Sequence, residues 1–196
     1  MINIKNFTYK DLLVNVNMTL NKEFNYIHGA NGTGKSTLLD CISNLNQKYT
    51  GEISGNNSLV YLNQNLYFSY KLKFKDFVEF IFSLEGIKNY KTVYFKYAEK
   101  YGLLEEFSKN WNKRIGVLSG GERKKLYFST ICCLDRDWYL FDEPFSGVDT
   151  SGKEYMSNQF NNLVAMDKGV IITTHETEPL NNISFVKKHI LEDSQH

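Results

Sequence analysis

Residues 29–36 read GANGTGKS, and no other stretch of the chain restricts its fold as tightly. The pattern G-x-x-x-x-G-K-[ST] cradles phosphate only where it follows a buried strand and opens a helix. Both flanks comply. Phe24–His28 is a short, largely apolar run, and residues 36–45 read as a helix. The glycines give the backbone conformations that a Cβ forbids, so successive N–H groups can converge on one anion. The helix N-terminus adds partial positive charge. Lys35 is placed to reach the outer phosphates of a bound nucleotide and Ser36 to offer its hydroxyl to Mg²⁺.

The rest of the chain supplies a sheet for that cradle. Residues 2–7 and 12–20 read as strands, the second alternating Leu12, Val14, Val16, Met18 and Leu20 with mostly polar neighbours. Turn-forming residues gather around Gly51. Residues 66–115 change character: they are rich in Phe, Tyr and Lys, and Phe74, Phe77, Val78 and Ile81 recur at helical spacing. From Ser119 the order is helix, strand, helix, strand, with Ser119 and Glu122 spaced as a capping box. Residues 170–174 are β-branched and apolar, as a buried parallel strand should be. Strands alternating with helices predict an α/β fold with a mainly parallel sheet, into which a helical subdomain is inserted.

Composition excludes several classes. The 196 residues carry 23 Lys+Arg against 22 Asp+Glu, which gives no support to a nucleic-acid partner or a polybasic membrane patch. Cys41, Cys132 and Cys133 have neither disulfide nor zinc spacing. No window reaches the length of apolar sequence that a spanning helix needs. The expectation is a soluble chain whose membrane role, if it has one, passes through a partner.

A phosphate cradle needs an acidic partner at the end of a neighbouring buried strand. Residues 138–143, WYLFDE, provide one. Asp142 is placed to hold Mg²⁺. Glu143, one residue on, is placed to act as general base on the attacking water or to orient it. Trp138 and Tyr139 are bulky for such a strand, and nothing in the sequence explains them.

Leu118–Glu122 reads LSGGE, between the aromatic-rich segment and the acidic strand. With GANGTGKST, FDEP, SGVD and TTH in that order, the chain resembles the ATP-binding cassette (ABC) ATPases over nearly its whole length. The resemblance implies a single ATPase domain over residues 1–196: a P-loop core with a mainly parallel sheet, a small antiparallel β-subdomain and a helical subdomain near 66–117. It implies ATP and Mg²⁺ as ligands. Gly29, Asn31, Gly32, Thr33, Gly34, Lys35, Ser36 and Thr37 would hold the phosphates. Tyr9 would stack on the base, with Phe7 as a rival. Ser36, Gln64 and Asp142 would ligate the metal. Glu143, His175 and Gln64 would carry the chemistry, although Gln64 follows the cradle more closely than the family pattern has it. Ser119, Gly120, Gly121 and Asp149 would reach across to a nucleotide held by a second cassette.

The implied function is the ATP-hydrolysing subunit of a membrane transporter. It would pair on ATP as a homodimer or pseudo-homodimer and drive a separate integral permease from the cytoplasmic face. The short segment after His175 resembles minimal export-type cassettes. The alternative is a soluble, non-transport cassette such as an iron–sulfur cluster assembly factor.

Overall fold

Three runs that are buried along nearly their whole length form the middle of a five-stranded parallel sheet: β3 (Phe24–His28), β6 (Trp138–Asp142) and β7 (Gly169–Thr173). The strand order is β5-β6-β7-β3-β8, with β5 (Leu59–Leu62) and β8 (Lys187–Ile190) at the edges. The computed structural model describes residues 1–191. A smaller antiparallel sheet, ordered β2-β1-β4, is built from β1 (Ile2–Tyr9), β2 (Leu13–Leu20) and β4 (Thr50–Ser54). Its inward residues Ile2, Ile4, Phe7 and Leu20 share one core with Leu38, Leu39 and Ile42 of α1 (Lys35–Ile42) and with Trp138, Leu140 and Ile171.

The chain divides into two compact units. The first comprises Met1–Gln64, Arg136–Ser146 and residues from Lys153 onward, and so holds both sheets. The second comprises Asn65–Asp135 with Gly147–Gly152. It contains α2 (Phe74–Leu84), α3 (Tyr90–Lys100), α4 (Leu104–Asn110) and α5 (Gly120–Cys132). A further helix, α6 (Thr150–Ala165), begins in the second unit's last segment and continues in the first.

The sequence reading and the structure differ at the end of the first helix and around Gly51. Helix α1 stops at Ile42, short of residue 45, because Asn44 turns the chain at φ 62°. The turn formers around Gly51 lie in strand β4: Gly51 takes φ 92°, and a Cβ there would strike the Asn6 carbonyl of the neighbouring strand. The bulk of Trp138 also finds its reason. Trp138 and Gly169 are register partners, and a Cβ on Gly169 would collide with the indole ring. A missing side chain on β7 thus makes room for a large one on β6. Tyr139, next along, accepts a hydrogen bond from the Arg136 N–H at 3.2 Å.

The second unit is held by rings. Tyr94 stacks on Phe107 at 5.3 Å and on Trp111 at 5.9 Å, and its hydroxyl pairs with Ser129 Oγ at 2.8 Å. Phe77 meets Tyr127 of α5 at 4.6 Å, so α5 belongs to this unit although the sequence reading ends the insertion near residue 117. Helices of 11, 11 and 7 residues are marginal alone and depend on such packing.

Candidate functional site

Strand β3 ends at His28, and the chain wraps back through residues 29–34 before α1 begins at Lys35. Gly32 and Gly34 take φ 85° and 89°, the left-handed region where a Cβ is disfavoured. Gly29 admits no side chain for a different reason: a Cβ would meet Thr33 Oγ1 and the Leu191 carbonyl. Thr33 ties the loop with a hydroxyl donated to Ala30 O at 3.0 Å. Lys35 Nζ lies inside the loop and donates to the Gly29 and Ala30 carbonyls, each at 2.8 Å. Burial lowers its pKa, and the carboxylates Glu143 and Asp142 oppose that shift. The loop therefore holds a cation against its own carbonyls, while an added Cβ on Gly32 would meet only open space beyond its chain neighbours.

The carboxylates stand at the end of β6. Asp142 is buried and accepts from Thr173 Oγ1 of β7 at 2.5 Å. Glu143 takes φ 51°, a strained conformation for a residue with a side chain. Its N–H is fixed by the Thr173 carbonyl at 3.1 Å. His175 meets its carboxylate twice: the His175 N–H reaches Oε2 at 3.2 Å and the His175 ring Nε2 lies 3.3 Å from Oε1.

These groups face one cavity of about 640 Å³. Asn31, Gly32, Gly34, Lys35, Ser36 and Thr37 line it from the cradle side. Gln64, Asp142, Glu143 and His175 line it opposite. Gly29 and Thr33 shape the loop from behind. Tyr9 is not among the lining residues. Its hydroxyl accepts from Asn46 at 3.1 Å, and Lys10 Nζ lies 5.5 Å above its ring. Its rival Phe7 is buried against Tyr49 in the core. Ser146, the first residue of SGVD, also lines it, and two further lining residues escaped sequence reasoning: Leu12 and Glu176. Leu12 lies in the β1–β2 hairpin, where its distance along the chain from the cradle hides it. Only Gly34 hints at it, since a Cβ there would press on Leu12 and Leu13.

Ser36, Gln64 and Asp142 offer a hydroxyl, an amide carbonyl and a carboxylate to this cavity. That all-oxygen set suits a hard divalent cation such as Mg²⁺. Lys35 and the loop N–H groups suit phosphate.

The other predicted residues belong to the second unit. Ser119 caps α5 as expected: its Oγ accepts from the Glu122 N–H at 3.1 Å, and its N–H donates to Glu122 Oε2 at 2.7 Å. The Ser119 N–H holds the Glu122 carboxyl below its ordinary value. Gly120 is open, whereas a Cβ on Gly121 would come within 3.3 Å of Gly147 O, so only small residues bring these two turns together. Asp149 accepts from the Gly152 N–H at 2.7 Å, which holds its carboxyl below the usual range.

Comparison with known proteins identifies the family. The ABC transporter family model matches residues 13–146. A Methanosarcina acetivorans protein named as an ABC transporter ATP-binding protein is 29% identical over 194 residues, spanning 87% of this chain and 68% of its own. The cytochrome c biogenesis ATP-binding export protein CcmA of Reclinomonas americana is 32% identical over 151 residues, spanning 71% and 67%. A Clostridium tetani relative of the same general name is longer, and the chain spans 43% of it. Among solved structures, a dimeric bacterial ABC transporter cassette superposes with TM-score 0.80 over 100% of both chains at 21% identity, a likeness of fold. With the family model covering most of the sequence and the fold shared throughout, the chain belongs to the ABC transporter family, as a nucleotide-binding domain of its ATP-binding proteins.

Proposed function

We propose that this chain hydrolyses ATP as the nucleotide-binding subunit of a membrane exporter, pairing with a second cassette on ATP and driving a separate integral permease from the cytoplasmic face. The observation that carries the reading is the single cavity into which Lys35, Ser36, Gln64, Asp142, Glu143 and His175 converge.

In this reading Lys35 exchanges its two carbonyl partners for outer phosphate oxygens, and the N–H groups of residues 31–37 surround the phosphate chain. The base lies towards the β1–β2 hairpin, against Tyr9 and Leu12. Ser36, Gln64 and Asp142 hold Mg²⁺, which supplies charge neutralisation on the phosphates. Glu143 accepts the proton of the attacking water. His175 aims that carboxylate through its own N–H and ring and contacts the outermost phosphate. Ser119, Gly120 and Gly121 of a partner cassette close the site, offering the N-terminus of α5 to the same phosphate, while Asp149 bridges the pair. Residues 1–196 act as one ATPase domain in this scheme, although they form two compact units.

Among the described residues no helix is long and apolar enough to cross a membrane, and the reading gives the passage itself to the permease. Tyr67, Phe80 and Leu84 of the second unit are exposed and suit an apolar anchor from that partner. Export is favoured by the similarity to CcmA, named as an export protein. The near-balanced charge fits a protein partner better than nucleic acid. The relatives named above carry transport names, which favours this reading over a soluble assembly factor.

The test is Glu143→Gln. Loss of a general base should lower turnover by about 10²–10⁴-fold, with ATP affinity unchanged by calorimetry. Wild-type turnover would remove Glu143 from its role.

A further inference from the structure

Tyr26 lies on β3, is 3% exposed, and belongs to none of the motifs above. Its hydroxyl makes two hydrogen bonds. One goes to the Thr174 carbonyl at 3.1 Å, the other joins His28 Nδ1 at 2.8 Å. A carbonyl oxygen only accepts, so the single phenolic hydrogen goes to Thr174. The His28 tautomer that satisfies both contacts then carries its proton on Nδ1 and donates to the phenol. Burial, and after it the negative charge of Glu143, raise the Tyr26 pKa, so the phenol is a donor throughout the neutral range.

The Thr174 carbonyl and the His175 N–H are the two ends of one peptide group. The carbonyl end is held by Tyr26. The N–H end is held by Glu143 Oε2 at 3.2 Å. A planar trans peptide transmits orientation from one end to the other without slack. The relay is therefore continuous: His28 to Tyr26, Tyr26 to the 174–175 peptide, and that peptide to the Glu143 carboxylate. The same peptide sets the origin of the His175 side chain, whose ring meets the other oxygen of Glu143. Thr174 is itself buried, 2% exposed, so little water is at hand to replace the phenol.

We infer that Tyr26 is a positioning residue for hydrolysis, aiming Glu143 and His175 through the 174–175 peptide. It touches neither nucleotide nor water. The inference rests on Glu143 being the base proposed above.

Tyr26→Phe keeps the ring and removes only the hydroxyl. The expected result is about a tenfold fall in kcat, smaller than the roughly 10²–10⁴-fold that a general base itself supplies, with KM for ATP and ATP affinity unchanged. In the Glu143→Gln background the same change should cost clearly less than it does alone, because the carboxylate it aims is gone and only its effect through His175 remains. Deuterium exchange at the His175 amide should be slow in the wild type and accelerate in the variant. That wild-type measurement stands even if the variant folds poorly. A kcat equal to wild type, an additive loss in the double variant, or a fast-exchanging His175 amide in the wild type would each overturn the inference. If Glu143→Gln alone kept full turnover, the base assignment would fail instead, and the two failures are told apart by that single control.

Discussion

The two units of this chain are built on different principles. The first is a sheet whose central strands are buried on both faces, with Leu140, Ile171 and Asn25 aligned in parallel register. The second is a set of short helices around aromatic rings, with Tyr94 between Phe107 and Trp111. The first fixes its functional groups through the backbone: the left-handed turns at Gly32, Gly34 and Glu143 are imposed by strand ends and paired peptides. The second fixes its candidate loop through a cap, the reciprocal Ser119–Glu122 bonds.

The largest expected effect falls on the ring core. Tyr94→Ala should destabilise the second unit by about 3–5 kcal/mol, the usual range for emptying a buried aromatic site. Trp111 and Trp138, the chain's two tryptophans, lie one in each unit. In single-tryptophan variants the denaturation midpoint seen by Trp111 should fall most. Equal shifts at Trp138 would show that the units do not differ in this way.

A smaller effect is expected at the sheet. Gly169→Val places a branched side chain against the Trp138 ring and should cost about 1–3 kcal/mol by overpacking, read from the Trp138 transition. An unchanged midpoint would mean that the strands part easily and that the tight register is not needed.

The smallest effect concerns the cap and is sharpened by pH. Glu122 has its carboxyl lowered in the folded state, chiefly by the Ser119 N–H. A depressed folded pKa contributes stability above the unfolded value and loses it as pH falls through the folded one. Wild type should therefore exceed Glu122→Gln in stability at neutral pH, and the gap should close as pH drops below the ordinary value of 4.5. A gap that persists in acid would assign the difference to packing instead.

Much of this was legible in the sequence because it is local. The cradle, the capping box and the continuous apolar strands β3, β6 and β7 each carry their pattern within a few residues. Strand β4 was hidden because Gly51, a turn former by composition, serves a left-handed kink in a strand instead. Leu12 at the cavity, the fit of Trp138 over Gly169 and the Tyr26 relay depend on residues brought together from far along the chain. No local pattern encodes such contacts. Tyr26 read as one more apolar position in a buried strand, and only the pairing of β3 with β7 gives its hydroxyl a task.

The account stands or falls on whether nucleotide brings two cassettes together, each completing the other's site. Light scattering of Glu143→Gln with Mg²⁺ and ATP, against the same protein without nucleotide, tests it most directly. The account predicts a shift from one chain's mass, 22.8 kDa, to twice that value, abolished by Ser119→Arg while ATP still binds. A chain that binds ATP fully and stays at single mass at high concentration would contradict it.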